Sequence, residues 1–336
     1  KNLLVFDHFE HTITLIAYTE TDLADLIKQF EAIKENLNPS RLQMPSAQAN
    51  QTANSEAGRT FENLVGNAKE SIYSGEVFQI VLSQEFRQET EEKPFDLYRR
   101  LRLISPSPYM YYLQYPDFSI IGSSPETLVR TEGDEIIIRP IAGTRRRGVV
   151  PKEDSALAEE LKNDSKEQAE HMMLVDLGRN DIGRVSEVGS IKITKLMEVE
   201  RYSHVMHLVS EIRGKRRKDK SLFDIFKTAF PAGTLSGAPK IRAMEIIAKL
   251  ENCPRDIYGG AVGYFDLSEN MDFAIAIRTM LYKKGCVSMR AGAGIVYDSV
   301  PEYENKECLN KARGPLSVFN RSPGQAPSTG SGQAVG

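Results

Sequence analysis

The chain has 336 residues, 40% of them hydrophobic, with 43 basic and 46 acidic side chains for a net charge of −3. That length is roughly two domains' worth, and the apolar content supports a substantial core, which argues against a disordered chain. Near-neutral charge argues against a protein built around nucleic acid or an anionic membrane, and no apolar run is long enough to span a bilayer.

The chain opens on Lys1 and Asn2 rather than Met, as a fragment or processed product would. Segments 3–6 and 12–18 alternate as a β-hairpin, and 21–36 carries Leu23, Leu26, Ile27 and Phe30 on one helical face. Residues 38–58 are polar and read as a linker or surface loop. A main domain is expected over 59–318, and 319–336, rich in Gly, Ser and Pro, reads as a disordered tail or non-native segment.

Within the main domain, periodicity predicts helices at 61–74, 95–103, 155–162 and 166–177, two more flanking 231–238, and a last one over 301–312. Alternation predicts strands at 77–86, 109–115, 118–122, 127–131, 135–141, 191–194, 205–212, 261–265, 274–282 and 287–296. Strands in runs and helices in blocks predict an α+β fold rather than a βαβ pattern. Cys253, Cys286 and Cys308 form neither a disulfide framework nor a paired zinc spacing, which suggests a reducing compartment. The cytoplasm is the expected location, or an organelle if a transit segment has been lost.

Several groups could carry chemistry. Glu304, Glu307 and Lys311 share a face of the last helix. The spacing suits a solvated face with a Glu–Lys pair, and equally two carboxylates for a hard cation beside a lysine for a substrate anion. Glu170, next to His171 on a helix, reads either as surface charge or as a further carboxylate across a cleft. Gly292 and Gly294 in RAGAGI could bring backbone N–H groups close to an anion, or simply pack a sheet. In PAGTLSGAPK, Thr234, Ser236 and Gly237 precede Pro239, as at a helix N-terminus that either binds an anion or is capped by Ser236. His207, in a strand-like HVMHLV with His204 nearby, faces a cleft or serves structure alone. The basic runs 145–147 and 215–220 lack interleaved aromatics and read as solvated loops.

In order, VFQIVLSQ, SSPETLVR, RPIAGTRRRG, ELKNDSKEQAEHMMLVDLGRND, YSHVMHLVS, PAGTLSGAPK, YGGAVGY, RAGAGIV and the Glu-x-x-Glu-x-x-x-Lys helix resemble the chorismate-binding enzymes over about residues 60–313. Among them the anthranilate-forming branch is most similar, and 1–37 then resembles the end of that branch's N-terminal region, with roughly the first third of a normal member of the branch missing. The resemblance implies two packed antiparallel β-sheets flanked by helices. It also implies conversion of chorismate and ammonia to anthranilate and pyruvate with Mg²⁺, the ammonia coming from a glutamine amidotransferase subunit (component II) in a hetero-oligomer. No nucleic acid and no membrane are expected as partners. Gln79 stands where the water-adding branch has a lysine base, and Ala142 stands where the aminodeoxychorismate-forming branch has a lysine nucleophile. Aminodeoxychorismate or aminodeoxyisochorismate formation, or binding without turnover, remain the alternatives.

The resemblance assigns Glu170 and Glu307 to the metal, with Glu304 acting through water. Glu126 matches a general acid at the departing C4 hydroxyl, and His207 matches a residue of the later step, loss of the C2 proton and pyruvate. Gln79 and Thr234 join them as catalytic candidates. Gly143, Thr144, Tyr258, Arg278, Gly292, Gly294 and Lys311, like Thr234, match positions at the substrate. Ser105 in SPSPYM stands where asparagine is usual in half of a feedback site, so tryptophan inhibition is not expected to be intact. Gly314 and Pro315 are expected to break the last helix, leaving Lys311 in its final turn.

Overall fold

The structure, a computed structural model, describes residues 3–7, 10, 12–35, 55–202 and 205–319. The chain divides into two compact units, 1–43 and 44–336. In the first, β1 (Leu3–Asp7) and β2 (Thr12–Ile16) form the expected antiparallel hairpin. Helix α1 (Glu20–Glu35) follows, and the Asp22 N–H donates to Thr19 Oγ1 at 3.1 Å in its first turn.

The second unit holds two antiparallel sheets. Its chain begins with α2 (Ser55–Tyr73), β3 (Gln79–Glu89), α3 (Pro94–Ile104), β4 (Tyr109–Gln114), β5 (Ser119–Ser124), β6 (Thr127–Glu132), β7 (Glu135–Ile138) and β8 (Ile141–Arg146). Helices α4 (Pro151–Asn163) and α5 (Ser165–Gly183), strands β9 (Lys192–Arg201) and β10 (Val205–Lys215), and helix α6 (Leu222–Ala229) follow. The four-residue α7 (Gly233–Ser236), β11 (Gly237–Ala238) and α8 (Lys240–Glu251) lead to β12 (Ala261–Phe265), β13 (Met271–Ile275), β14 (Thr279–Lys283) and β15 (Cys286–Ile295). Helix α9 (Pro301–Leu316) and a 3₁₀ turn (Ser317–Phe319) close the described chain. One sheet runs β12-β13-β6-β7-β10-β8 with β9 also on β10; the other runs β11-β3-β15-β14-β5-β4.

Each sheet buries a face against helices. Ile136, Ile138 and Ile212 of the larger sheet form one core with Val175 and Ile182 of α5 and Ile225 of α6. Ile80, Leu82 and Ala293 of the smaller sheet pack with Phe61 and Val65 of α2 and Ile246 of α8. A third cluster joins Leu97 and Leu101 of α3 to Ile121, Met280 and Val318. Fully burying side chains of this size contributes about 1.5–3 kcal/mol each, so these clusters dominate stability.

Several boundaries differ from expectation. The expected strand 274–282 is two strands in different sheets, because the chain turns at Arg278 (φ +50°). The expected strand 135–141 is broken at Pro140, which has no N–H to give a ladder; β7 and β8 lie end to end along β10. The expected strand 191–194 extends through Arg201 because β10 pairs along nearly all of it. Of the expected loop 38–58, residues 38–54 lie outside the described residues, and 55–58 already belong to α2. The tail beyond 319 and His204 also lie outside them.

The run 145–147 is not a solvated loop. Arg145 pairs with Glu160, Asp164 and Glu167 at 2.9, 2.9 and 3.3 Å, and Arg147 pairs with Asp154 at 2.7 Å, so these arginines fasten α4 and α5 to β8. Ser236 caps nothing: its hydroxyl donates to the Ala232 carbonyl at 2.9 Å, and α8 starts after Pro239 without a side-chain cap. The last helix passes through Gly314 and Pro315. Ser317 Oγ donates to the Gly314 carbonyl at 2.6 Å and Arg100 to the Val318 carbonyl at 3.1 Å, while Pro315 is buried. Lys311 therefore stands more than a turn inside the helix.

Candidate active site

The chain passes between the sheets at β5–β6 and at β13–β14, and the two passages are hydrogen-bonded together. The Ser123 N–H donates to the Arg278 carbonyl at 3.2 Å and the Ile275 N–H to the Glu126 carbonyl at 3.0 Å. Tyr109 of β4 also bridges the sheets, donating to Asp272 Oδ1 at 2.8 Å. Glu126 and Arg278 are thus held at a seam by backbone that cannot shift without breaking both sheets. Burial pushes the Glu126 carboxyl up to about 7, against the opposing pull of Thr234, Lys311 and Arg278. Burial likewise lowers the Arg278 guanidinium, which Glu126 supports. Thr234 Oγ1 is buried beside Glu126 but has no partner in hydrogen-bond geometry. Both residues line a cavity of about 40 Å³ bounded by Pro140, Leu174 and Gly178, enough for a water-sized molecule.

His207 lies on β10 with its ring buried. Its Nδ1 is 2.9 Å from the Gly143 carbonyl and 3.1 Å from Thr144 Oγ1. A carbonyl only accepts, so Nδ1 carries the proton and Nε2 the free lone pair. Burial lowers the imidazole, and the charge of Arg278 lowers it further, against Gly143 and Glu200; the ring is neutral at pH 7. Gly143 itself is at φ +62°, where a side chain would be strained and would strike Leu161. That conformation turns its carbonyl onto His207.

On the other sheet, Gly292 and Gly294 of β15 lie opposite Ser83 and Val81 of β3. A methyl group on Gly292 would come within 2.6 Å of the Tyr258 hydroxyl and 2.7 Å of the Leu82 carbonyl, so only glycine fits beneath Tyr258. Tyr258 is buried, which raises its phenol well above the usual range. Lys311 donates to the Gly292 carbonyl at 2.9 Å and pairs with Glu307 at 2.6 Å. Gln79 of β3 lies against Gly294, where a methyl group would come within 2.5 Å of its Nε2.

Helices α5 and α9 bring their carboxylates into mutual reach. Burial pushes Glu170 up to about 7; Lys166, at 3.8 Å, opposes this, and Glu167, Glu307 and Glu304 add to it. Burial also raises Glu304, with Glu307 adding to the shift. Among the described residues, no group of three or more His, Cys, Asp or Glu is placed to hold a metal ion by itself. The donors are carboxylates, the class of ligand that suits a hard divalent cation also taking oxygens from water and substrate, and each of Glu170 and Glu307 has a lysine beside it, Lys166 and Lys311.

Sequence reasoning passed over Glu167, whose carboxylate lies beside the Gly143 backbone and adds to the charge on Glu170. The signal was available: Glu167 and Glu170 repeat the three-residue spacing of Glu304 and Glu307. It also passed over Tyr202, whose ring stands 5.7 Å from that of His207 and whose hydroxyl donates to Glu200 at 3.0 Å.

Glu126 thus lies within electrostatic reach of Arg278 and Lys311, His207 of Arg278, and Glu170 of Glu304 and Glu307, and the chain that carries them is similar to known proteins. Anthranilate synthase component 1 of Acetivibrio thermocellus is 56% identical over 255 residues, 76% of this chain and 52% of that protein. The chain thus spans about half the length of that relative. The component 1 protein of Lactococcus lactis is 45% identical over 95% of this chain and 71% of its own length. The crystal structure of anthranilate synthase component I from Streptococcus pneumoniae superposes with a TM-score of 0.81 at 42% identity, covering 93% of this chain and 71% of that one. Residues 1–317 match the chorismate binding enzyme family, and with the fold, the ordered motifs and the cleft in agreement, the chain belongs to that family.

Proposed function

We propose that this chain carries the catalytic part of an anthranilate-forming enzyme, converting chorismate and ammonia to anthranilate and pyruvate in tryptophan biosynthesis. The observation that carries the reading is the presence of Glu126, a carboxyl raised to about 7 so that a substantial share keeps its proton near neutrality, and of His207, whose burial favours the neutral imidazole with Nε2 free, both within electrostatic reach of Arg278. Similarity to the component 1 proteins supports the branch.

In this reading Arg278 and Lys311 attract the two carboxylates of chorismate, and Tyr258 and the Gly292 strand form a wall that leaves room for them. Ammonia adds at C2 while Glu126 gives its proton to the C4 hydroxyl, which leaves as water. His207 then takes the C2 proton through Nε2, and the C3 enolpyruvyl group departs and becomes pyruvate on gaining a proton. Gly143 and Thr144 hold the histidine in the required tautomer. Mg²⁺ would be held by Glu170 and Glu307, with Glu304 through water, and when bound would neutralise the substrate C1 carboxylate and developing negative charge. Ammonia would come from glutamine through an amidotransferase subunit, component II, in a hetero-oligomer.

Neutral Gln79 disfavours activating water as the nucleophile, and Ala142 offers no amine for a covalent route. The test is chromatography of products after incubating the chain with chorismate, Mg²⁺ and an ammonium salt. Anthranilate with equimolar pyruvate is expected. Aminodeoxychorismate, isochorismate or salicylate as the main product would overturn the reading.

A further inference from the structure

Glu251 is the last residue of α8, where the helix dipole disfavours a carboxylate, and its side chain is only 2% exposed. A buried charge in so unfavourable a place needs dedicated partners. Oε1 accepts from the Ser83 N–H at 2.8 Å and the Ser83 hydroxyl at 3.0 Å. Arg255 closes a two-pronged pair on it, Nη2 to Oε1 at 2.6 Å and Nε to Oε2 at 2.8 Å. Arg290 reaches Oε2 at 3.4 Å and also donates to the Ser83 carbonyl and hydroxyl.

Arg290 also reaches Cys253 Sγ at 3.4 Å, while the other outward contacts end on segments that carry candidate substrate positions. Arg255 donates to the Leu235 carbonyl at 2.6 Å, one residue after Thr234, and to the Val81 carbonyl at 2.7 Å, opposite Gly294. Its guanidinium lies 5.6 Å from the centre of the Tyr258 ring. Ser83 faces Gly292 across the ladder, and Arg290 precedes Gly292 by two residues on β15. Tyr258, Gly292 and Thr234 come from three separate segments, and the cluster is where those segments are tied together.

We propose that Glu251 is a positioning residue for substrate: through Arg255 and Arg290 it sets the distance between Tyr258, the Gly292–Gly294 strand and Thr234, and so the fit of the chorismate ring. The inference rests on the proposed function of the same cleft. It predicts a defect in substrate affinity rather than in the acid or base steps, because the cluster touches neither Glu126 nor His207.

The test uses the full chain and two variants, Glu251→Gln, which removes the charge at constant shape, and Arg255→Lys, which keeps the charge but loses the fork. With chorismate, Mg²⁺ and ammonium salt, both should raise the KM for chorismate about tenfold or more while kcat changes by less than about threefold. Calorimetric titration of chorismate with Mg²⁺ should show the same loss of affinity, independent of turnover. A merely structural role would lower the active fraction, and hence apparent kcat, with KM unchanged; that result in either folded variant overturns the proposal. If Glu251→Gln does not fold, Arg255→Lys decides alone. A wild-type chain that binds chorismate but forms another product overturns the anthranilate reading only, while one that does not bind chorismate overturns both.

Discussion

Glu126 shows how one position can set both rate and stability. Burial at the seam between the sheets raises its carboxyl to about 7, and Thr234 and two cations keep it from rising further. A general acid of this kind is active below its pKa, so kcat should fall as pH rises above about 7 when free NH₃ is held constant. Without that control, growing free ammonia would mask the decline. Glu126→Gln should cost about 10²–10⁴-fold in kcat, the usual worth of a positioned proton donor. The same change should raise thermal stability at pH 8. A folded-state pKa above the unfolded value contributes stability that is present in acid and lost as pH climbs through about 7, and glutamine has no charge to bury. Unchanged kcat, or a variant less stable at pH 8, would show that the carboxyl is not the acid described. His207→Gln keeps a polar side chain but cannot accept the C2 proton. It should slow anthranilate release and let an amino-substituted dihydro intermediate accumulate, which chromatography would resolve.

At the scale of elements, the candidate site depends on the glycine-bearing end of β15. β15 brings Gly292 under Tyr258 and offers its carbonyl to Lys311 of α9. Gly292→Ala would press a methyl group against the Tyr258 hydroxyl and the Leu82 carbonyl, and the second contact is backbone that cannot swing away. An expected destabilisation of about 1–3 kcal/mol, read from urea unfolding, should accompany a marked rise in the KM for chorismate. A variant as stable and as tight-binding as wild type would show that the strand has more room than the structure gives it. The arginines of β8 act on the same scale. By pairing with Glu160, Asp164 and Glu167, Arg145 anchors the helix that carries Glu170 to the strand that carries Gly143.

For the whole molecule, the candidate residues come from both sheets and from α5, α7 and α9, so a ligand that engages them would tie those parts together. Chorismate with Mg²⁺ should therefore raise the melting temperature; at a ligand concentration of 100 times Kd the expected gain is about 2.7 kcal/mol. A chelator should abolish that shift together with turnover. Glu307→Ala should do the same while leaving the ligand-free melting temperature within about 2 °C, since the Glu307 side chain is 46% exposed and its ion pair with Lys311 is a surface one. Full Mg²⁺-dependent stabilisation in that variant would remove Glu307 from the metal.

The sequence alone determined the α+β class, the opening hairpin and most helices, because apolar spacing reports directly which face of an element is buried. Through the family resemblance it also supplied a list of candidate positions, since motifs such as the Glu-x-x-Glu-x-x-x-Lys helix and RAGAGIV are local in the chain. It misjudged 274–282 as one strand and 145–147 as a loop, and for the same reason. Which sheet a strand joins, and which acid an arginine meets, depends on residues in other elements, as Glu167 of α5 is to Arg145 of β8, 22 residues away. The pairing of Glu126 with Arg278, the tautomer of His207 and the cluster at Glu251 were decided only by the tertiary structure. Each rests on burial and on carbonyls from other segments, and no spacing within the chain encodes where those will lie.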